Sequence, residues 1–573
     1  MTRVTRDHWL LTLVFLCAGV LLYQSFGYTE MAGSDMWWHI AAGREILQTQ
    51  TLWMVDDWSY TAHGNDWLNH EWLAGIMYYL WVSLWGVQAI VYWKWLILGL
   101  TFLTLQYTLG RDSGSALAGF LCAAIAAAIA APFLDVRPHI YTLLFYALLL
   151  LIAHRRRPRL YLLLPLFIVW VNLHGGFFFG LMALAILLFP WRNFTLPSLR
   201  SAVFIGLLCL LAALLNPSGL GTFFYPLKYA FDETSPFKQL AEWLPPFSPG
   251  GIQSPLFFVF MWAPIGALVY FLPAVRRRLD VPWEGLALML LTLAMAVTSR
   301  RFIPIYAMSM ALAMAPLLGL MIETLLAGGR GRLVKPLLAC GALLFGLYRL
   351  QPYPLQSGPA FHYLTAEYSY PVDLMNMVEA NGLHGKVFAY YNWGGYLHWR
   401  TDGDMKVYID GRADTIYDAD TYNNYVTVLG SKPGWMEIIE ADQPDYILWP
   451  QTRGSGLAKQ KALLESGRWR PVYQDSEGWL LARDDLELPD TFKRPPQTAW
   501  LDVTGMQLNA WRGNRREAIA HGEKARAAMP WHRSVCHTLP QGYRLSGDVG
   551  RANDILLRCW EYFPSRLFRA GQG

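Results

Sequence analysis

Charge is the scarcest feature of this 573-residue chain, because Asp, Glu, Lys and Arg together make up only 16% of it. Soluble domains carry about 25% charged residues, so the composition excludes an ordinary soluble globular protein. The basic residues form no continuous stripe, which argues against nucleic acid as a partner. The chain is instead rich in long apolar runs. Hydrophobic residues account for 54% of it, and the long apolar runs lie before about residue 350.

Cysteine is also sparse, with six in the chain. Four of them lie inside apolar runs, where we expect them to pack as small hydrophobic side chains: Cys17, Cys122, Cys209 and Cys340. Cys536 and Cys559 lie in a polar tail and can form a disulfide if that tail is outside the cytoplasm. The first apolar run is followed by no small-residue cleavage motif, so we expect it to be retained as an anchor.

The apolar runs predict a polytopic, mostly α protein with about eleven membrane spans, each long enough for about 30 Å of hydrocarbon. The spans are predicted near residues 9–26, 88–110, 115–134, 139–154, 160–174, 176–190, 201–216, 254–273, 283–299, 303–323 and 334–350. Basic residues concentrate in short loops on one side, which places the N-terminus in the cytoplasm. An odd number of spans then places the C-terminal third outside. We therefore expect a multi-pass protein of the plasma (inner) membrane with an extracytoplasmic C-terminal domain.

The most informative segment is the polar loop between the first span and the next apolar stretch, residues 34–72. It carries Asp35, His39, His70 and Glu71 among six tryptophans. Ionisable side chains are costly to keep beside a membrane, whereas indole rings suit the headgroup level and also stack on sugars. The loop therefore suggests chemistry on a hydrophilic substrate. The apolar stretch at 72–87 is expected to be an interfacial helix that follows it.

Three segments resemble a known superfamily. Asp35-Met36-Trp37-Trp38-His39 resembles the first outer loop of the GT-C glycosyltransferases, which include protein mannosyltransferases and aminoarabinose transferases. Asn69-His70-Glu71-Trp72-Leu73 and Arg300-Arg301-Phe302-Ile303-Pro304 are similar to later segments of these enzymes. Together with Asn172-Leu173-His174-Gly175-Gly176, the first motif is also similar to a group of uncharacterised bacterial membrane proteins. Many superfamily members have two adjacent acidic residues where this chain has Asp35 alone.

The resemblance implies an enzyme that moves a sugar from a polyprenyl-phosphate donor to an acceptor. Such a reaction needs a general base for the acceptor and positive charge or a metal for the departing phosphate. Asp35 is the candidate base, and Glu71 is the candidate second catalytic carboxylate. His39 shares a helix face with Asp35 and is a candidate substrate-binding residue. Asp35, His39 and Glu71 are the ligands if a divalent cation such as Mg or Mn binds. The alternative is that Asp35 only caps the helix that follows.

The predicted substrate-binding residues of the membrane part lie on its outer face. Three arginines there run against the positive-inside bias: Arg137, Arg300 and Arg301. Guanidinium groups match phosphate oxygens well, so we expect them to bind the donor phosphate. Alternatives are a salt bridge between Arg137 and Asp135, or snorkelling. Three histidines complete this set: His70, His139 and His174. For His174, which precedes two glycines, a hydrogen-bonded hairpin is the competing interpretation.

Beyond the membrane part, residues 1–350, the pattern predicts an α/β domain over 351–495. A helix is expected at 371–379 and strands at 385–391, 407–409, 446–449 and 479–482. Ligands often bind at the loops that follow the ends of strands. Two such loops supply candidate substrate-binding residues: Tyr391, Asn392, Trp393, Asp410 and Arg412. The alternative is a fold built around Trp393 and an internal pair of Asp410 with Arg412.

The tail, residues 496–573, contains a repeat. Three residue pairs are separated by 34 positions, the period of a tetratricopeptide hairpin: Gly513 and Gly547, Ala518 and Ala552, and Pro530 and Pro564. Two such repeats are too few to be stable alone. We expect them to dock on the α/β domain or on a protein partner.

The leading hypothesis is a membrane glycosyltransferase with a polyprenyl-phosphate-linked sugar as donor and a protein or glycan as acceptor, working among membrane lipids. One alternative is an oligosaccharyltransferase or glycan ligase that uses a polyprenyl-pyrophosphate donor. Another is a non-enzymatic assembly scaffold that binds a protein partner through its tail. A transporter is disfavoured, because the two halves of the membrane part show no repeat.

Overall fold

The protein is mostly helical, in agreement with the sequence-based prediction. The computed structural model describes residues 6–26, 35–154, 160–231, 235–240, 242–326, 330–350, 359–451, 455–475, 477–489 and 499–562, and Pro564 of the predicted repeat lies outside these ranges. The chain divides into two units. The first unit comprises Met1–Thr29, Leu68–Met77 and Ala89–Pro354, and the second comprises Glu30–Trp67, Tyr78–Gln88 and Leu355–Gly573.

The secondary-structure elements are numbered in chain order. The helices are α1 (Arg6–Phe26), α2 (Asp35–Thr49), α3 (Trp72–Trp85), α4 (Ile90–Ser113), α5 (Ala116–Ala130), α6 (His139–Ala153), α7 (Leu163–Leu173), α8 (Phe177–Leu188), α9 (Leu196–Ala212), α10 (Leu220–Phe231), α11 (Pro255–Phe260), α12 (Ala263–Ala267), α13 (Pro273–Arg276), α14 (Trp283–Thr298), α15 (Ile303–Leu325), α16 (Arg330–Leu350), α17 (Pro359–His362), α18 (Val372–Ala380), α19 (Gly394–Thr401), α20 (Ala419–Leu429), α21 (Trp435–Ala441), α22 (Gly456–Glu465), α23 (Ala499–Trp511), α24 (Arg515–Ala528), α25 (Arg533–Leu545) and α26 (Val549–Tyr562). The strands are β1 (Met54–Val55), β2 (Asp66–Trp67), β3 (Gly385–Ala389), β4 (Met405–Val407), β5 (Tyr446–Pro450), β6 (Trp469–Gln474) and β7 (Gly478–Arg483).

The first unit is built from apolar helices. Among the described residues, three helical segments are long and apolar enough to cross a membrane: Val87–Ser113, Ala116–Phe133 and Arg300–Leu325. Shorter apolar helices occupy most of the other predicted spans, although the stretch predicted at 254–273 is broken into α11, α12 and a 3₁₀ turn. The total of eleven spans therefore stays a prediction. Phe15 on α1, Phe120 on α5 and Ala339 on α16 belong to one buried cluster in this unit.

The second unit contains a five-stranded mixed sheet in the order β4-β3-β5-β7-β6. β3 is parallel to β4 and β5, whereas β7 is antiparallel to β5 and β6. All five residues of β5 are buried, which explains the continuous apolar run that predicted this strand. The prediction missed β6, whose sequence includes Pro471 and polar residues. The strand predicted to reach 391 ends at Ala389, because Tyr391–Trp393 forms a 3₁₀ turn.

Residues 35–67 of the first polar loop belong to the second unit, although the sequence analysis had grouped the loop with the membrane part. Residues 58–60 run alongside the outer strand β4, where the Val407 N–H donates to the Trp58 carbonyl at 3.0 Å. The Tyr60 N–H donates to the Val407 carbonyl at 3.1 Å. The loop thus covers an edge strand whose backbone groups would otherwise be unpaired.

The tail consists of two successive helix pairs, α23 with α24 and α25 with α26. Gly513 and Gly547 lie between the helices of each pair with φ of 79° and 87°, a left-handed conformation that favours glycine. A disulfide joins Cys536 to Cys559, with the Cα atoms 5.7 Å apart. The buried cluster of the tail includes Tyr363, which comes from the segment before the sheet. Assignment to the tetratricopeptide class stays a prediction.

Candidate active site

The residues predicted from the sequence fall into two groups, one in each unit, and each group is described by itself. The group in the second unit is Asp35, His39, Tyr391, Asn392, Trp393, Asp410 and Arg412. The group in the first unit is His70, Glu71, Arg137, His139, His174, Arg300 and Arg301.

Asp35 is the first residue of α2, where a carboxylate is favoured by the helix dipole. Its exposed fraction is 9%, so the carboxylate lies within the protein rather than in bulk water. Two glycines allow this close approach. A methyl group at Gly411 would lie 3.0 Å from Asp35 Oδ1, and one at Gly395 would lie 2.9 Å from the backbone nitrogen of Trp38. The first turn of α2 therefore packs directly on α19 and on the turn after β4, and the sequence analysis missed both glycines.

His39 is corrected from a substrate ligand to a packing residue. Its exposed fraction is 1%, and its ring stacks on the indole of Trp38 with the centroids 3.5 Å apart. The ring of Tyr78 meets it edge-on at 6.0 Å. The ring is enclosed by its neighbours and packs against Trp38.

Asp410 and Arg412 are likewise corrected, because they form the internal pair that was the alternative interpretation. Both side chains are fully buried, and Arg412 Nη2 lies 2.8 Å from Asp410 Oδ2. Arg412 Nη1 also lies 2.5 Å from Asp56 Oδ1 in the first loop, and the guanidinium lies over the Trp58 ring at 4.4 Å. Burial lowers the pKa of Arg412, but Asp410 and Asp56 outweigh it and raise the pKa well above the ordinary value. This charged cluster ties the first loop to the sheet domain.

The segment before α19 divides into one core residue and two surface residues. Trp393 is buried and donates from Nε1 to the Ser369 carbonyl at 3.1 Å, so its predicted substrate contact is corrected to a packing role. Tyr391 and Asn392 are half-buried. They lie close in sequence to Gly395, which contacts Trp38, and they remain candidates for substrate contact.

In the first unit, two of the predicted arginines share one carboxylate. Arg137 pairs with Glu242, and Arg301 Nη1 lies 3.3 Å from the other oxygen of Glu242. The Arg301 guanidinium also lies over the Trp243 ring at 4.7 Å. Burial raises the pKa of Glu242, but Arg137 and Arg301 outweigh it and lower the pKa to about 2. Two positive charges therefore face one negative charge, and both arginine side chains remain about one-third exposed, at 33% and 32%.

Glu242 escaped the sequence analysis because it lies in a loop with no motif. The available signal was an acid directly before Trp243, in a loop predicted to lie on the outer side of a membrane part that has few acids.

Arg300 is corrected from a phosphate ligand to a structural residue. It is fully buried, and its guanidinium donates to the carbonyls of Gly250 at 2.6 Å, Pro245 at 2.9 Å and Ser248 at 3.0 Å. The two terminal nitrogens of the guanidinium are thus satisfied by main-chain carbonyls within the fold. It therefore holds the 245–252 loop and is not available to a substrate.

Glu71 lies between two histidines. Its Oε1 is 3.6 Å from His174 Nε2 and 3.8 Å from His70 Nε2. The His174 Nδ1 accepts the Gly176 N–H at 2.9 Å and contacts the Thr142 hydroxyl at 2.7 Å. Nδ1 of His174 therefore faces Gly176 and Thr142, and Nε2 faces Glu71.

Two further histidines complete this group. Burial lowers the pKa of His70 to about 4, so His70 is neutral at pH 7. His139 is half-buried, and its Nε2 lies 2.7 Å from the Phe133 carbonyl. Arg301 Nη2 comes within 3.4 Å of His174 Nε2. A continuous polar cluster thus runs from Arg137 through Glu242 and Arg301 to the histidines.

Across the described part of the chain, no group of three or more His, Cys, Asp or Glu side chains is arranged to hold a metal ion. The metal alternative with Asp35, His39 and Glu71 therefore gains no support.

The comparisons with known proteins bear on the fold alone. No protein-family model matches the chain, and no curated protein matches it. Among solved structures, it is similar to the Archaeoglobus fulgidus oligosaccharyltransferase, crystallised with a tethered acceptor peptide that contains the NVT sequon. The TM-score is 0.52 at 13% identity, over 85% of this chain and 75% of that one. The chain therefore has a fold similar to that of this oligosaccharyltransferase.

Proposed function

We propose that the protein is a membrane glycosyltransferase that moves a sugar from a polyprenyl-phosphate-linked donor to an acceptor on the outer face of the plasma membrane. The observation that carries the proposal is the carboxylate of Asp35, which is enclosed at the start of α2 and packed against Gly411. A membrane protein with an oligosaccharyltransferase-like fold and apolar helices provides the setting.

Asp35 is the general base in this proposal. Its carboxylate accepts the proton of the acceptor as the acceptor atom bonds to the anomeric carbon, and the bond from that carbon to the phosphate oxygen breaks. Base catalysis of this kind contributes about 10²–10⁴-fold to a rate.

The polar cluster of the first unit is proposed independently, from its own charges, as a binding site for a phosphate group. Arg137 and Arg301 carry two positive charges against the single charge of Glu242, and their exposed fractions leave them open to an anion. A phosphate that gains charge as it departs is stabilised by such groups. Glu71 and His174 extend the cluster and are proposed to orient the donor.

The test of Asp35 uses the full-length protein in liposomes with a radiolabelled polyprenyl-phosphate hexose and a mixture of peptide and glycoside acceptors. Asp35→Asn keeps the size of the side chain and removes its basicity, so transfer should fall by about 10²–10⁴-fold at unchanged protein abundance. Asp57→Asn is the matched control, because Asp57 is an acid of the same loop that is 61% exposed. Full activity of Asp35→Asn would refute Asp35 as the base.

A second test addresses the donor phosphate. Arg301→Gln should raise the KM for the donor, with a smaller effect on the KM for the acceptor, because it removes one of two cations from the cluster. Arg277→Gln, at an exposed arginine of the same unit, is the control and should leave both constants unchanged. If the two variants changed the KM for the donor equally, the proposal that Arg301 binds the donor phosphate would be refuted.

The second candidate function is that of an oligosaccharyltransferase with a polyprenyl-pyrophosphate donor. The structural similarity to the archaeal enzyme favours it, and a pair of arginines suits a pyrophosphate equally well. Donors that differ only in one or two phosphates, and in one or several sugars, separate the two functions.

A further inference from the structure

We propose that the first unit binds a phospholipid with a phosphoethanolamine headgroup in a cavity at the C-terminal end of α4. The phosphate of the headgroup contacts Arg276 and Arg278, and its ammonium contacts Asp280. The cavity lies on the side that the sequence analysis predicts to be cytoplasmic, and lipid binding there does not depend on the transferase reaction.

The cavity has a volume of about 290 Å³. Three arginines, two acids and a proline of α15 line it: Arg276, Arg277, Arg278, Asp112, Asp280 and Pro316. A methyl group at Gly319 would lie 2.7 Å from a backbone oxygen at the end of α4, so a glycine here lets α15 approach α4 closely. Pockets for small molecules usually measure about 300–1,000 Å³, so the cavity suits a compact headgroup rather than a large ligand.

Arg276 and Arg278 provide the positive charge for the phosphate. Both side chains are exposed, and Arg278 Nη1 donates to the Thr324 hydroxyl of α15 at 3.3 Å. Arg277 instead donates from Nε to the Pro273 carbonyl at 3.2 Å, so its side chain follows its own helical turn. Because guanidinium groups match phosphate oxygens in geometry and charge, Arg276 and Arg278 are the two groups that share the phosphate.

The two acids of the cavity differ in exposure. The Asp280 side chain is 80% exposed and lies 3.3 Å from Arg192, so a ligand can reach it. The Asp112 side chain is 3% exposed, and its Oδ1 lies 3.4 Å from Nε2 of the buried His154. Asp112 is therefore too enclosed to touch a ligand. The negative charges of both acids oppose a headgroup that is purely anionic and favour one with a cation beside its phosphate.

Apolar side chains close to the cavity fit the acyl chains of a lipid. Met321 and Leu325 are exposed on α15 on either side of Thr324, the residue that accepts from the cavity arginine. Phe271 and Leu272 are also exposed and directly precede α13. Exposed apolar side chains beside a basic cavity are the surroundings that a membrane phospholipid requires, whereas a soluble phosphate ester would gain nothing from them.

Native mass spectrometry of the full-length protein in detergent measures the binding of three lipids with identical acyl chains. Phosphatidylethanolamine carries an ammonium with N–H donors for Asp280, phosphatidylcholine carries a methylated ammonium without donors, and phosphatidylglycerol carries no cation. We expect phosphatidylethanolamine to bind at least about fivefold more tightly than either of the others. Soluble glycerophosphoethanolamine, which has the same headgroup without acyl chains, should bind at least about tenfold more weakly than the lipid.

Arginine and acid variants with matched controls test the contacts. Arg276→Gln and Arg278→Gln should each weaken the binding of phosphatidylethanolamine about fivefold, whereas Arg277→Gln should weaken it less than about twofold. Asp280→Asn should abolish the preference over phosphatidylglycerol. Its control is Glu323→Gln, at an exposed acid of α15, which should keep the preference. All five side chains are exposed, so the variants should fold as the wild type does.

Four results would overturn the lipid site. Equal binding of the three lipids, or a preference that survives Asp280→Asn, would show that the cavity does not recognise the ammonium. Equal weakening by all three arginine variants would show a general positive field instead of a defined site. Equal binding of glycerophosphoethanolamine would assign the cavity to a soluble ester. None of these results bears on transfer from the polyprenyl donor, so the proposed function stands or fails separately.

Discussion

The charged cluster around Arg412 makes the most direct prediction about stability. Arg412→Met keeps most of the aliphatic stem and removes the guanidinium, which leaves Asp410 and Asp56 buried without their cation. Removing one partner of a buried ion pair costs about 3–5 kcal/mol. The hydrogen bond to the Tyr417 hydroxyl at 3.1 Å is lost as well. We expect the sheet domain and the first loop to loosen together, because the cluster joins them.

Hydrogen exchange followed by mass spectrometry measures this effect on the full-length protein in detergent, without the assumption that the whole chain unfolds in one step. Peptides that cover residues 54–67 and 446–450 should exchange about two to four orders of magnitude faster in the variant, as a loss of about 3–5 kcal/mol implies. Adding Asp56→Asn to Arg412→Met should cost less than the sum of the single changes, because the two residues share one interaction.

Arg468→Met is the control for this experiment. Arg468 pairs with Glu440 on the surface and is 58% exposed, so its loss should cost less than about 1 kcal/mol. Exchange within threefold of wild type in Arg412→Met would refute the view that this cluster stabilises the sheet domain.

Three further predictions concern acid stability and the tail. The folded pKa of Glu242 is about 2, below its ordinary 4.5, so its contribution to stability is present above pH 4.5 and is lost as the pH falls towards 2. In Glu242→Gln, thermal stability should therefore change less with pH across this range. At pH 7 the variant should be less stable than the wild type by up to about 3 kcal/mol. Replacing Cys536 and Cys559 by Ser removes a disulfide with a sequence separation of 23. The free energy of unfolding of the tail should fall by about 3 kcal/mol, and proteolysis of the tail should be faster. An unchanged rate of proteolysis would contradict this prediction. Burial lowers the pKa of His532 to about 3, so the neutral ring stabilises the tail above pH 6.5 and this contribution fades as the pH falls towards 3. His532→Phe should make exchange in the tail less dependent on pH, and an unchanged dependence would count against the buried ring.

The residues of the first loop show how far sequence reasoning reaches. The position of Asp35 at the start of a helix was predictable, since an acid followed by apolar residues at helical spacing marks such a start. The role of Arg412 was left open between two interpretations, because its second partner Asp56 is distant in the sequence. The enclosure of His39 and Arg300 was also beyond sequence reasoning, since both residues lie beside motifs that suggested ligand contact and only packing shows that they are buried.

The amino-acid sequence by itself determined the membrane character, the mostly helical class, the central strands and the glycine turns of the tail. These features depend on apolar length, periodicity and the conformations of single residues, all of which are local. Only the tertiary structure decided which charged side chains are buried in internal pairs and which remain partly exposed. It separated Arg137 and Arg301 from Arg300, and it placed the carboxylate of Asp35 against Gly411. The physical reason is that burial and charge pairing depend on residues far apart along the chain, and their free energies exist only once those residues meet.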